Sequence, residues 1–497
     1  MTPPSAEPTV PPQPTEPRTI FAAPVRATST GILVLITLIA FEAMAVSAAL
    51  PTAARELHGL GGYGWAFTGF LVANIVGMVV SGQLSDRRGA APPLVVGLAA
   101  FLAGLLLAGT AATMALLVAG RVVQGLGAGL MITAIYVVIG QAYGERLRPP
   151  LFAAISSAWV VPSLVGPLVS GALAEHASWR LVFLGLAPFI VLGGILVLPS
   201  LRALHRAEAR RDGAQRGPSA ADRLLRALTV AGGVALLEAA GQHPSVLLAA
   251  VAVVGLAAVW WGLRRLLPPG TAVARPGVAA PVALRGLLAG AFFGVESILP
   301  LSLTVQHGFT PTAAGLPLAA SGISWAVGSW WQGRDRDERG HRRRVALVRA
   351  GFGFVALGTL GVAIAAVPAV PGWFAYPAWL ISGLGAGLAM SSVGILLLRY
   401  TSDATRGADS AALQLADATA SALTTGVAGV LVAAAARDVI GYTGAFVTLG
   451  VLMCAVAGLG AAVAGRARPA AAAAGDAAPA GQRGGPRPPG AELAATS

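Results

Sequence analysis

The chain contains no lysine: all 34 of its basic side chains are arginine. A phosphate-binding loop of the Gly-x4-Gly-Lys-Ser/Thr type is therefore excluded, and with it an ATP-driven pump built on one. Cysteine occurs once, as Cys454 within an apolar run, which excludes an intrachain disulfide framework and a cysteine-based metal cluster. The six histidines (His58, His176, His205, His243, His307 and His341) stand at no metal-ligand spacing, so no metal is expected. No clustered Ser- or His-based constellation suggests catalysis, and an enzyme is not expected. Charged residues make up only 11% of the 497 residues, too few to cover the surface of a soluble globule of that size.

What is abundant is apolar. Hydrophobic residues reach 56% of the chain, with a mean hydropathy of +0.73. A span needs roughly 20 apolar residues to cross a ~30 Å hydrocarbon core. Runs of that kind occur at 31–50, 65–82, 93–113, 115–140, 151–173, 180–198, 224–240, 245–263, 281–303, 312–332, 345–366, 372–397, 408–434 and 440–464. Lipid satisfies no backbone hydrogen bond, so each run is expected to be a helix. The first run, with Arg18 and Arg26 before it, resembles a signal peptide in isolation. The many equal runs that follow favour an uncleaved first span.

Fourteen spans put both termini on one side of the membrane. With that side taken as the cytoplasm, 30 of the 34 arginines fall in the tails, the inner loops and their helix ends. Arg55, Arg180 and Arg437 fall outside, and Arg121 lies within a span. This asymmetry is the positive-inside signal and places both tails in the cytoplasm of a bacterial inner membrane. It also accounts for the net charge of +13 without a nucleic-acid partner. The arginine run Arg342–Arg344 reads as part of that signal, with anionic lipid as its neighbour. Trp260, Trp261, Trp330 and Trp331 at inner span ends, and Trp65, Trp179 and Trp373 at outer ones, read as belt anchors.

The sequence repeats itself. Gly125-Leu126-Gly127-Ala128-Gly129-Leu130 in span 4 recurs unchanged as Gly383-Leu384-Gly385-Ala386-Gly387-Leu388 in span 12. Gly77, Gly82, Asp86, Arg88 and Gly89 at the end of span 2 recur at identical spacing as Gly328, Gly333, Asp337, Arg339 and Gly340 at the end of span 10. Each match maps a span onto the one eight later, so spans 1–6 are repeated by 9–14 with 7 and 8 inserted. Two parallel six-helix repeats about an axis along the membrane normal form one established transporter architecture. The expected organisation is a disordered N-tail (1–28), a six-helix bundle (29–200), a basic linker (201–223), two inserted helices (224–265), a second bundle (276–465) and a disordered C-tail (466–497).

On these residues the chain resembles the major facilitator superfamily, and within it the fourteen-span drug:proton antiporter family. Gly82-Gln83-Leu84-Ser85-Asp86-Arg87-Arg88-Gly89 is similar to the signature between spans 2 and 3, and Arg121-Val122-Val123-Gln124-Gly125-Leu126-Gly127 to the span 4 motif. Gly166-Pro167-Leu168-Val169-Ser170-Gly171 resembles the antiporter motif of span 5, and Phe41 to Pro51 the family's first-span motif, with Glu42 where Asp is usual. The chain departs from these patterns at Ala90 and Ala91, where basic residues are expected, and at Pro162 and Ser170, where glycines are. The resemblance implies an all-α major facilitator fold and proton-coupled antiport of drug-like molecules, without a cofactor and as a monomer in the bilayer. It implies gating roles for Asp86, Arg88, Gly89, Gly166, Pro167 and Gly171.

Ionisable residues inside a bilayer cost about 2.5–3.5 kcal/mol and mark pathways. They are Glu42, Arg121, Glu238, Glu296 and Asp417. From the helical rise, Glu42 lies roughly 12 Å and Arg121 roughly 9 Å below the outer ends of their spans. They are expected either to couple protons as a pair whose separation changes or to lock two helices statically. Glu296 and Asp417 are candidates for a proton or substrate site, with Trp159 and Trp325 as cavity-lining or core aromatics. Glu238, near the outer end of an inserted span, reads as an interfacial residue. The substrate is open: a broad drug-like range, or one endogenous metabolite moved by export or import, with a non-transporting scaffold or sensor as the remoter alternative.

Overall fold

The structure, a computed structural model, describes residues 19–23, 25–144, 146–208, 220–242, 246–333, 341–401 and 406–468. Most of the two expected tails, half of the linker, and Asp337, Arg339 and Gly340 of the second loop motif lie outside these residues. The first bundle comprises α1 (Arg26–Glu56), α2 (Tyr63–Arg88), α3 (Ala91–Gly109) and α4 (Met114–Ala142). It is completed by α5 (Arg148–Ser157, then Val160–His176) and α6 (Arg180–Leu184, then Ala187–Glu208). The inserted pair is α7 (Ala220–Gln242) and α8 (Val246–Leu266). The second bundle comprises α9 (Ala279–Glu296, then Leu299–His307), α10 (Pro311–Gly333) and α11 (His341–Ala365). It ends with α12 (Ala375–Tyr400), α13 (Arg406–Ala436) and α14 (Tyr442–Val463). No strand occurs among the described residues.

Eleven of these helices are long and apolar enough to cross a membrane. By length and composition of the described residues, α5, α8 and α10 are not among them. α5 and α10 pack on each other, and small or polar groups line the contact: Gly322 against Ser163, Gly315 against the Pro167 carbonyl, Gly171 against Pro311 and Thr312. Helix association in lipid relies on this close backbone approach rather than on apolar burial.

The repeated glycine run has the same role in both bundles. Gly125 and Gly129 of α4 lie against the carbonyls of Phe70 and Asn74 on α2, and Gly127 against the Phe101 amide on α3. Their counterparts Gly383 and Gly387 of α12 lie against the carbonyls of Ser321 and Trp325 on α10, and Gly385 against the Gly351 carbonyl on α11. A side chain at any of these points would meet backbone, which cannot move aside as a flexible side chain can. A further match appears at the ends of α1 and α9: Leu50, Pro51, His58 and Gly59 recur as Leu299, Pro300, His307 and Gly308, each 249 residues later.

The bundles meet along two seams, α2 with α13 and α5 with α10. The start of α1 and the end of α14 lie on one membrane side, the tail side, opposite the far side. Far-side contacts include Gly64 of α2 on Gly429 of α13 and the Thr312 amide donating to Glu175 across 3.1 Å. Toward the tail side, a Cβ placed on Gly82 or Gly140 would meet nothing within 4 Å. On the far side the two bundles are therefore in direct contact along both seams.

Trp179 is fully buried rather than a belt anchor: its indole N–H donates to Glu56 across 2.8 Å and its ring edge-packs on Phe183. Glu238 is 1% exposed rather than interfacial, because α7 turns it toward the α2–α13 seam instead of toward headgroups.

Candidate functional site

In the first bundle the site begins with Arg121, whose guanidinium forms an ion pair with Glu42 of α1. Its Nε donates to the Ala66 carbonyl across 3.0 Å, one terminal nitrogen reaches Gln124 at 3.3 Å, and its plane lies 4.2 Å over the Phe70 ring. Ala66 and Phe70 reach Arg121 because Gly125, one turn further along α4, lets α2 approach closely. Glu42 is completely buried, and its second oxygen has no hydrogen-bond partner among the described residues. The sequence expectation that Glu42 and Arg121 meet at one depth holds. Both belong to one bundle, so a rigid swing of the two bundles leaves their separation unchanged.

In the second bundle Glu296 ends the first part of α9. Pro300 lacks the N–H that would continue the helical ladder to the Glu296 carbonyl, and the helix breaks at Ser297 and Ile298. The Glu296 side chain is 6% exposed, and no ion pair or hydrogen bond holds it among the described residues. At the break, the Ser297 carbonyl accepts the hydroxyl of Tyr63 from α2 across 2.7 Å. A buried, unpartnered acid thus adjoins a hydrogen bond that ties the two bundles together.

One turn before Glu296, Phe292 stacks on Trp379 at a centroid separation of 4.6 Å and meets Trp325 edge-on at 5.2 Å. Trp325 is therefore built into an aromatic cluster of the second bundle. Trp159 stands apart from it, 39% exposed, where α5 changes direction.

Nearer the tail side, Asp417 of α13 pairs with Arg285 of α9 at 2.6 Å. Neither is fully buried, at 18% and 20% side-chain exposure. Tyr136 of α4, 40% exposed, interacts electrostatically with Arg285 from the opposite bundle. Sequence reasoning missed Arg285, assigning it to the inner helix end, and missed Tyr63 and Tyr136. The available signal was that Arg285 sits within the apolar run of its own span.

Among the gating candidates, Gly89 adopts φ 79° and caps α2 through its amide on the Ser85 carbonyl. That is left-handed backbone, which glycine takes without strain. Arg88 is exposed, and the side chain of Asp86 lies outside the described residues. Gly166 approaches Met44 and Phe41 of α1. The ring of Pro167 interrupts the α5 ladder while its carbonyl lies against Gly315, and Gly171 faces Pro311. Pro167 and Gly171 thus line the α5–α10 seam, while Gly166 packs α5 on α1. No group of three or more metal-ligating side chains occurs among the described residues.

Comparison with known proteins agrees with this architecture. The chain is 32% identical over 164 residues to the MFS efflux transporter aclA of Aspergillus oryzae (strain ATCC 42149 / RIB 40), a match covering 33% of this chain and 30% of that protein. It is 27% identical over 168 residues to the multidrug efflux pump SdrM of Staphylococcus aureus (strain N315), covering 34% and 38%. The chain thus spans about a third of the length of these relatives. A POT family transporter crystallised with 5-aminolevulinic acid superposes with a TM-score of 0.61 at 12% identity, over 89% of this chain and 96% of the other, a likeness of fold. With the Major Facilitator Superfamily model matching residues 32–425, and with two glycine-packed bundles in contact along two seams, the chain belongs to the major facilitator superfamily of membrane transporters.

Proposed function

We propose that the protein is a proton-coupled antiporter that exports amphipathic, drug-like molecules across a cytoplasmic membrane, with both tails in the cytoplasm. The observation that carries this reading is Glu296: buried, without a partner among the described residues, and one residue from the Tyr63–Ser297 hydrogen bond between bundles. An isolated charge is expensive in dry surroundings, and a neutral carboxyl much less so. Opening the far-side seam at Ser297 changes the water around Glu296, so proton exchange and bundle movement share one place. One proton moving down 100 mV supplies about 2.3 kcal/mol, enough for a roughly fifty-fold gradient of a neutral substrate in one-for-one exchange. Glu42 acts as the second titrating acid through a local shift of α1 against α4 within the first bundle, with Ala66 and Gln124 already placed to hold Arg121. The exposed Trp159 and the aromatic face around Trp325 suit amphipathic compounds, and the matched relatives include efflux pumps.

The test is Glu296→Gln in proteoliposomes, with Glu42→Gln beside it. We expect gradient-driven accumulation to be lost in Glu296→Gln while substrate-for-substrate exchange persists. Undiminished proton-driven transport in Glu296→Gln would overturn the assignment. A second reading, a transporter dedicated to one zwitterionic metabolite, is favoured by Arg285 and Asp417, which present both charges beside Tyr136. A compound panel separates the two: Arg285→Gln abolishes all transport under the second reading and only reshapes the profile under the first.

A further inference from the structure

The inserted pair α7–α8 lies outside both repeats, and the transport mechanism above makes no use of it. Yet α7 turns an acidic side chain toward the bundles. Glu238, 1% exposed, reaches the far-side half of the α2–α13 seam, where the Thr68 hydroxyl of α2 donates to its Oε2 across 3.3 Å. Its two oxygens occupy the space that side chains at three glycines would need. A Cβ on Gly64 of α2 would stand 2.5 Å from Oε1, one on Gly429 of α13 2.6 Å from Oε1, and one on Gly426 of α13 2.9 Å from Oε2. Gly64 and Gly429 are themselves in backbone contact. The glycines place Cα–H groups against the carboxylate, each a weak donor. One side chain from outside both bundles therefore touches both at the point where they must part for the far side to open.

We propose that Glu238 is a positioning residue: a wedge by which the inserted helices hold the α2–α13 seam closed on the far side, setting the balance between the two cavity openings. This rests on the alternating opening of the cavity assumed above, though on neither proton coupling nor any substrate. The seam glycines have distinct neighbours. At Gly429 and Gly64 an added methyl meets backbone of the opposite bundle, whereas at Gly426 its first neighbour is Glu238 itself, and Thr68 follows only at 3.7 Å. Gly426→Ala is therefore obstructed by the wedge and little else, and removing the wedge makes room for it.

The experiment uses the full chain in lipid nanodiscs without substrate. Spin labels at Ala112→Cys and Ala369→Cys, in the far-side loops before α4 and α12, are placed in a Cys454→Ala background, and their distance distribution is read by pulsed EPR. We expect Glu238→Ala to raise the ratio of far-side-open to far-side-closed molecules about five- to tenfold, the effect of losing one ordinary buried hydrogen bond. Glu238→Gln, which keeps the shape and an acceptor for Thr68, should stay within about twofold of the parent. Gly426→Ala should open the seam in the parent and have no further effect in Glu238→Ala. An unchanged distribution in Glu238→Ala, or equal effects of Gly426→Ala in both backgrounds, would overturn the proposal. Should Glu238→Ala not reach the membrane, Thr68→Val removes the same hydrogen bond and is read in the same way. Because no gradient or substrate enters, failure here leaves the antiport reading untouched, and failure of Glu296→Gln to lose coupling leaves this one untouched.

Discussion

The Tyr63 hydroxyl donates to the Ser297 carbonyl across 2.7 Å and so joins α2 of one bundle to the broken α9 of the other. The bond exists because Pro300 interrupts the α9 ladder and the chain turns aside at the next residue, freeing a carbonyl at depth for a partner from outside the helix. Tyr63 is 1% exposed, so water does not compete for its hydroxyl. A buried hydrogen bond of this kind contributes about 1 kcal/mol net. Tyr63→Phe removes the donor and keeps the ring, which packs on Phe67 at 5.5 Å. We expect the variant to shift toward the far-side-open form by about fivefold, read as faster labelling of a cysteine introduced in the far-side cavity. Labelling at the parental rate would mean the bond has no part in closure.

The other seam makes a prediction about acidity. Glu175, at the far-side end of α5 and beyond its apolar run, faces Thr312 of α10. Thr312, whose amide donates to Glu175 across 3.1 Å, holds that carboxyl below the ordinary carboxylate range. A carboxyl held low stabilises the contact fully above its ordinary value of 4.5 and loses that contribution as the pH falls through the lowered value. The α5–α10 contact is therefore expected to persist through neutral and mildly acidic pH and to weaken only in stronger acid. Far-side distance measurements should show this low-pH step in the parent and none in Glu175→Gln.

Glu42 and Arg121 lead to a third expectation. Removing one partner of a buried ion pair leaves an uncompensated charge and costs about 3–5 kcal/mol, whereas replacing both with neutral groups costs far less. Arg121→Gln alone should therefore lower thermal stability sharply, and Glu42→Gln with Arg121→Gln should recover most of the loss. Transport separates the two roles of the pair. If the double variant recovers stability and also full proton-driven transport, the pair is a static lock between α1 and α4. We expect recovery of stability without recovery of transport.

The span count, the two-bundle repeat and the Glu42–Arg121 encounter were all legible in the sequence, because each leaves a local trace: an apolar run, an identical glycine string, a charge where charge is costly. What escaped were relationships between elements far apart in the chain. Arg285 looked like one more tail-side arginine because a helix end and a site four residues into a span differ by only about 6 Å of rise. Tyr63 gave no signal because its partner is a backbone carbonyl, which any residue can supply. Glu238 and Trp179 misled for a shared reason. Both sit near span ends, where composition favours headgroup contact, and only packing shows that each is turned inward, toward Thr68 and toward Glu56.

The glycine repeat permits a test of internal symmetry itself. Gly125 faces the Phe70 carbonyl, and Gly383 faces the Ser321 carbonyl at the equivalent crossing of the second bundle. A methyl group at either point meets backbone, so α2 must shift from α4, or α10 from α12, and overpacking of this kind typically costs about 1–3 kcal/mol. Gly125→Ala and Gly383→Ala should accordingly lower the melting temperature of the purified protein by similar amounts, with near-additive effects in the double variant because the sites lie in separate bundles. Gly353 is the control: nothing stands within 4 Å of a Cβ added there, and exchanging glycine for alanine in a helix is ordinarily favourable. Gly353→Ala should be neutral or slightly stabilising. A large loss at Gly125 with none at Gly383 would mean that the second bundle tolerates separation of α10 and α12. The halves would then share a sequence pattern without sharing its mechanical role. We expect them to share both, because the same three residues of each run meet the same two neighbouring helices.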